Sequence, residues 1–229
     1  MKRRQFTAAV SMAGATAGAM GWAGSAHAAL GQTDAAAGIR AALERGAEAA
    51  VSALAKPDGF LGNANVRIPL PGFLADAAKL LKATGQQKKV DELVTAMNRA
   101  AEAAVPQAKA LLVQAAKSMS MDDALKIVRG PDNSVTEFFA RKTRQALGVQ
   151  FLPIISRATE HVALADKYNA VAGKAAKLGL MKGEDADLNR YVTGKSLDGL
   201  YLMISEEERR IRKDPIGTGS EILKKVFGR

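Results

Sequence analysis

Val66-Arg67-Ile68-Pro69-Leu70-Pro71-Gly72 can be neither helix nor inner strand, and the rest of the chain has to fold around it. Ile68 and Leu70 each precede a proline, which pushes both into extended backbone. Pro69 and Pro71 have no amide to donate, so helix interior and central strand are both excluded. Upstream, Pro57-Asp58-Gly59 and Gly62-Asn63-Ala64-Asn65 carry strong turn chemistry. A loop from Pro57 to Gly72 follows, and structureless loops of that length are usually functional or disordered. Phe60, Leu61, Val66, Ile68 and Leu70 argue against disorder, so the stretch is expected as an ordered extended segment laid across a helical body.

Nearly everything after residue 72 repeats apolar residues at helical spacing. Before the loop, Asp34 is expected to cap a helix reaching Lys56. After it, helices are expected from Phe73 to Ala83 and from Gln87 through Met97 to Pro106, which kinks the helix or opens a new one toward Met119. Ser120-Met121-Asp122-Asp123 has capping-box form, and Ser134-Val135-Thr136-Glu137 reads as a cleaner one. The second opens a helix through Phe138, Phe139, Thr143 and Leu147, with Pro153 interrupting the segment that follows. A further helix should run from Leu164 to Lys177 with Tyr168 inward, stopped by Leu178-Gly179-Leu180. The longest, Asp187 to Lys213, carries the stripe Leu188, Tyr191, Val192, Leu200, Tyr201, Ile204 and Ile211. Glu206 with Arg210 and Glu208 with Arg212 are acid-first pairs in its last turns, so the run from Glu206 to Lys213 reads as a solvated face. Ser220-Glu221 is expected to open a small C-terminal helix. The fold class is all-α: one domain over residues 29–229, a bundle of about eight helices with one long proline-containing extended loop.

Residues 1–28 stand apart. Lys2-Arg3-Arg4-Gln5-Phe6, a mild apolar run from Thr7 to Met20, and Ala26-His27-Ala28 are the three parts of a cleavable export signal. The paired arginines and Phe6 resemble a twin-arginine signal, with the general secretory route as the rival reading. Gly14, Gly18, Gly21 and Gly24 weaken the case for a membrane anchor. Without the signal, about 200 residues remain, which suits one domain with a sizeable core. Lys2, Arg3 and Arg4 leave with it, lowering the formal charge from +10 to about +7. The expected location is the periplasm, as a soluble protein. A basic protein there is drawn to anionic membrane or glycan surfaces, or to other envelope proteins, and the location argues against nucleic acid.

Several chemistries lack their residues. The chain has no cysteine, and Trp22 and His27 leave with the signal, so His161 is the last histidine. Structural zinc, iron–sulfur clusters and covalent haem then have too few ligands, and no cofactor is expected. Gly-x-Ser-x-Gly is absent, and Gly173-Lys174 lacks the preceding glycine and following hydroxyl of a phosphate-binding loop. A glycosidase built on two carboxylates survives by residue type, although the mature chain has lost its one sugar-stacking tryptophan.

The candidate residues are polar groups in unusual company. Arg67, between turns and prolines, offers a planar fork to a carboxylate or phosphate, or ties its loop to a helix carboxylate. Asn98, Arg99 and Glu102 share one helix face, but it lies opposite the apolar stripe, where solvated charges belong. Asp198 sits amid Leu197, Gly199, Leu200 and Tyr201 and reads as a buried acid, either a polar anchor or paired with Arg67, Arg99 or Lys174. Gly199 would let a backbone or a ligand approach closely, and His161, beside Glu160, reads as a surface residue. These residues suggest a non-catalytic ligand-binding or protein-interaction module using Arg67, Asn98, Arg99, Glu102, Tyr168 and Asp198, its partner an unknown small ligand or envelope protein. The second reading is a cofactor-free hydrolase with Asp198 or Glu102 as general acid or base.

Val66 to Gly72 resembles the bacterial envelope family known as domain of unknown function 4197. So do Met97-Asn98-Arg99-Ala100-Ala101-Glu102-Ala103-Ala104-Val105-Pro106, Phe151-Leu152-Pro153-Ile154 and Lys167-Tyr168-Asn169-Ala170. Leu197-Asp198-Gly199-Leu200 and Ile211-Arg212-Lys213-Asp214-Pro215 extend the likeness over nearly the whole mature chain. The resemblance implies a secreted, mainly helical protein and brings no activity and no functional residues with it.

Overall fold

Alanine and proline decide how the helices are cut and how closely they pack. The computed structural model describes residues 22–177 and 187–214. Among them the chain forms α1 (Trp22–Ala55), α2 (Gly72–Ala83), α3 (Gln87–Ala104), a 3-10 turn (Val105–Gln107) and α4 (Ala108–Lys117). After these come α5 (Met121–Arg129), α6 (Ser134–Thr159), α7 (Ala163–Lys177) and α8 (Leu188–Lys213). The fold is all-α. The stop at Leu178-Gly179-Leu180 and the C-terminal helix expected from Ser220 lie outside the described residues.

Long helices α6 and α8 pack along one another, α3 lies against α6, and α1 lies against α4 and α8. Ala47, Ala50, Ala100, Ala101, Ala104, Ala108 and Ala116 line these contacts and are fully buried or nearly so. Such small side chains let helix axes approach toward the lower end of the usual ~8–10 Å. Phe138, Phe139, Leu147, Phe151 and Ile155 of α6 fill the remaining space.

The prolines act differently from one another. Pro106 falls in the 3-10 turn that separates α3 from α4, at an early helical position where a missing amide costs nothing. Pro153 does not interrupt α6. The carbonyl it orphans belongs to Val149, which is 72% exposed, so water can take the bond. Asp34 does not cap α1, because the alanine-rich helix already runs from Trp22.

Three N-termini show how the amides left over at a helix start are satisfied. At α5 the capping box forms as expected, with Ser120 Oγ accepting from the Asp123 amide and the Asp123 carboxylate accepting in return. The Ser120 hydroxyl also donates to Asp123 and holds its carboxyl below the usual value. At α8, Asp187 accepts from the amides of Asn189 and Arg190 at 2.8 and 3.2 Å. At α6 the expected box is absent. Ser134 is already helical, and its hydroxyl donates to the Pro131 carbonyl at 2.6 Å. The amides of Val135 and Thr136 donate instead to the Glu208 carboxylate of α8, at 3.0 and 3.1 Å.

This corrects the solvated reading of the Glu206–Lys213 run at Glu208, while Arg209, Arg210 and Lys213 stay exposed. Glu208 is 4% exposed, drawn in by the positive end of α6, and its Arg212 partner donates to it at 2.9 Å. Arg210 pairs with Glu207 rather than Glu206, which accepts from Asn65 of the loop.

Candidate functional site

The loop between α1 and α2 is a strap tied down along its length. It starts at Asp58, whose φ of 65° turns the chain back on itself. Gly59 is required next, because a side chain there would run into the Leu54 carbonyl. The chain then drives Phe60 into the bundle, where it is 0% exposed. Its ring lies over Gly199 of α8, where a Cβ would come within 2.7 Å of Phe60 Cε1. The close approach that Gly199 was expected to admit is therefore made by an aromatic ring of the same chain. Val66 and Ile68 follow Phe60 into the core.

A buried strap outside any helix or sheet must find partners for its amides. Glu102 Oε1 accepts from the amides of Phe60 and Leu61 at 3.0 and 3.1 Å. Its Oε2 accepts from Arg99 at 2.7 Å, and Arg99 reaches on to Asp58 at 2.8 Å. The hydrogen bond to Glu102 raises the Arg99 guanidinium above its ordinary pKa. Asn98 treats Ile68 as a neighbouring strand would: its Oδ1 accepts from the Ile68 amide at 2.8 Å, and its Nδ2 donates to the Ile68 carbonyl at 3.0 Å. The Tyr191 hydroxyl donates to the Pro69 carbonyl at 3.1 Å. Asn98 and Glu102 were expected on a solvated face and are 0% and 5% exposed. The strap covers that face of α3, and only Arg99 of the three stays at the surface.

Asp198 also differs from expectation. Its side chain is 50% exposed, and it accepts from Arg144 at 2.6 Å with Lys195 3.7 Å away, rather than pairing with Arg67 or Arg99; the Lys174 side chain lies outside the described ones. Lys195, Asp198 and Leu202 recur at three- and four-residue spacing on the outer face of α8, while the apolar neighbours of Asp198 point the other way. Asp198→Ala is accordingly expected to change stability by less than about 1 kcal/mol. A thermal midpoint lowered by as much as loss of a buried ion pair would contradict the surface assignment.

Of the two carboxylates named for acid–base work, Glu102 is buried and Asp198 lies at the surface. Glu102 is engaged by three donors and Asp198 by two cations. Tyr168 is 2% exposed inside α7, and His161 is at the surface. Among the described residues no cluster of acids and histidine could hold a metal ion, and no helix is long and apolar enough to cross a membrane. Tyr201 contacts Thr143 at 2.9 Å, and burial pushes its phenol above the ordinary value. The neutral form is therefore favoured in the fold. Its stability contribution is intact below the unfolded value of about 10 and is lost as pH rises toward the folded one. Urea midpoints should fall above about pH 10, and less steeply for Tyr201→Phe; equal slopes would exclude Tyr201 as the cause.

One end of the strap leaves an opening. Strap, α2 and α3 together form an open cleft of about 380 Å³. Pro69, Leu70, Ala78, Val90 and Val94 give it apolar walls, and Arg67, Lys79, Lys82 and Asp91 supply its charge. Arg67 alone of the six expected site residues lines it. Asn98, Arg99 and Glu102 hold the strap from below, while Tyr168 and Asp198 belong to other surroundings. Lys79 and Lys82 were missed, although their i,i+3 spacing just after the proline stretch puts both on one face of α2. Arg67 is exposed, and among the described residues it makes one hydrogen bond, to the Leu61 carbonyl at 3.3 Å.

In comparison with known proteins, a family model described as "Protein of unknown function (DUF4197)" fits residues 29–228. No curated protein and no solved structure matches the chain.

Proposed function

The chain belongs to the DUF4197 family, and from that premise we propose that it is an exported, non-catalytic binding module whose site is the cleft beside the proline strap. One observation carries the reading: Arg67 stands exposed at this cleft with most of its five donors unused, beside Lys79 and Lys82. The strap beneath it is fixed by Asn98, Glu102 and Tyr191, so the arginine is presented from a rigid base and little ordering is left for binding to cost. The absence of catalysis is argued from Glu102 and Asp198, both held in structural bonds. Export is argued from Lys2-Arg3-Arg4-Gln5-Phe6 and Ala26-His27-Ala28, and from a family match that starts at residue 29. The periplasm is the compartment this implies, by the twin-arginine or the general secretory route.

The test is native mass spectrometry on protein purified gently from the periplasm, beside a denatured and refolded control. An extra small-molecule mass is expected in the first sample only. Arg67→Ala should lose that mass with its thermal midpoint almost unchanged, since the one hydrogen bond of the side chain, to the Leu61 carbonyl at 3.3 Å, is exposed to water. A bare chain in both samples, or a bound mass indifferent to Arg67, would remove the reading.

A further inference from the structure

We infer that the cleft takes one chain of an anionic amphiphile, with a carboxylate or phosphate head at Arg67 and Lys82 and a short aliphatic body between α2 and α3. The inference rests on the assignment of the cleft as the binding site and goes beyond it by naming the class of occupant. Charge selects the head. Among the described residues, three of those lining the cleft are cationic and one, Asp91, is acidic. An arginine fork fits two oxygens of a carboxylate or phosphate in one plane.

The walls select the body. Leu70 and Val94 are half-buried, and Ala78 and Val90 are buried, so a ligand extending inward from Arg67 meets hydrocarbon. The polar side chains of α3 nearest the strap, Asn98 and Glu102, are turned onto strap backbone and are not available to a second polar group. On α3 only Asp91 and Thr95 offer polar side chains to the cleft, so a sugar or other strongly hydrated ligand would recover few of the hydrogen bonds it loses to water among these apolar walls. Size adds a limit. A volume of about 380 Å³ is near the lower end of the ~300–1,000 Å³ usual for small-ligand sites, which suits one short chain, whether of a free acid or one of the two chains of a membrane lipid.

A free acid and the head and chain of a membrane lipid share this chemistry, so the probes must separate them. The full chain would be titrated calorimetrically with octanoate, decanoate and decyl phosphate below their micelle concentrations. Inorganic phosphate, decanol and phosphatidylglycerol vesicles complete the set. The expected result is a Kd that falls with chain length by up to about fourfold per methylene until the cleft is full. Arg67→Ala and the exposed-site variant Lys82→Glu should each weaken the anionic amphiphiles about tenfold or more, with an unchanged thermal midpoint. Monomers bound and vesicles ignored identify a free acid as the source. Vesicles bound in an Arg67-dependent way, together with the monomers, identify a lipid.

Inorganic phosphate binding as tightly as decyl phosphate would overturn the inference by removing the apolar body, and decanol matching decanoate would overturn it by removing the head. If no amphiphile binds while the natively purified protein still carries an Arg67-dependent mass, the class is wrong and the cleft reading stands. If that mass is missing too, both fall.

Discussion

Glu208→Ala lowers the stability of the fold by about 3–5 kcal/mol. The carboxylate is 4% exposed and serves four donors: the amides of Val135 and Thr136, the Thr136 hydroxyl and Arg212. Alanine leaves two helix-start amides without an acceptor and takes the Glu208 carboxylate away from a guanidinium that is 14% exposed. Arg212 keeps its bond to the Ile127 carbonyl at 3.0 Å, which holds it in place and prevents it from swinging out to water. Glu208→Gln keeps one acceptor oxygen but turns an NH2 toward donors, so an intermediate loss is expected. Urea unfolding reads both, as a lower midpoint with unchanged slope. A Glu208→Ala midpoint within about 1 kcal/mol of the parent would show that water replaces the carboxylate and that α6 needs no cap from α8.

Phe60→Ala is the second large effect, at about 3–5 kcal/mol when it is felt by the whole fold. The ring is fully buried and rests against Gly199, which has no side chain to move into the space. Val66 lies against the same glycine, and its β-branched side chain has little freedom to follow. The vacated volume should therefore persist as a cavity, the more costly outcome. Hydrogen exchange separates local from global loss. The amides of Phe60, Leu61 and Ile68 should exchange much faster in the variant, while the centre of α6 slows or speeds only with overall stability. Strap amides that stay protected, with stability lowered by under about 1 kcal/mol, would mean that Asn98 and Glu102 hold the strap without the ring.

The helices and the strap were legible because apolar spacing and proline act through neighbours in sequence. Asn98 and Glu102 were not, because periodicity assigns one buried face to a helix and α3 has two. Its second buried face meets backbone, and a covering backbone calls for acceptors and donors where a covering helix calls for leucine. The clue was available in the strap itself: Phe60, Leu61 and Ile68 are apolar residues whose amides had no partner within any regular element. Asp198 failed in the opposite direction. Leucines on either side of it suggested burial, but consecutive helix positions are about 100° apart, and only its neighbours at three and four residues share its face. Ser134 failed because the capping sequence is a local signal, and a carboxylate 73 residues beyond Val135 outcompeted it. Of the candidate cleft, only Arg67 was legible, since neither lysine on α2 differs in sequence from an ordinary solvated residue.

The Glu208 cap also has a consequence in time. A chain emerges from the ribosome N-terminus first, at about 5–20 residues per second. The acceptor of the Val135 amide lies 73 residues further along the chain, so the first turn of α6 waits roughly 4–15 s of synthesis for the group that completes it. Phe60 waits longer still, since the surface it rests on is Gly199 of the same late helix. Until α8 arrives, the nascent chain holds an uncapped helix and a displaced aromatic strap, both of which a chaperone can recognise. The last described helix is thus the one that closes the molecule.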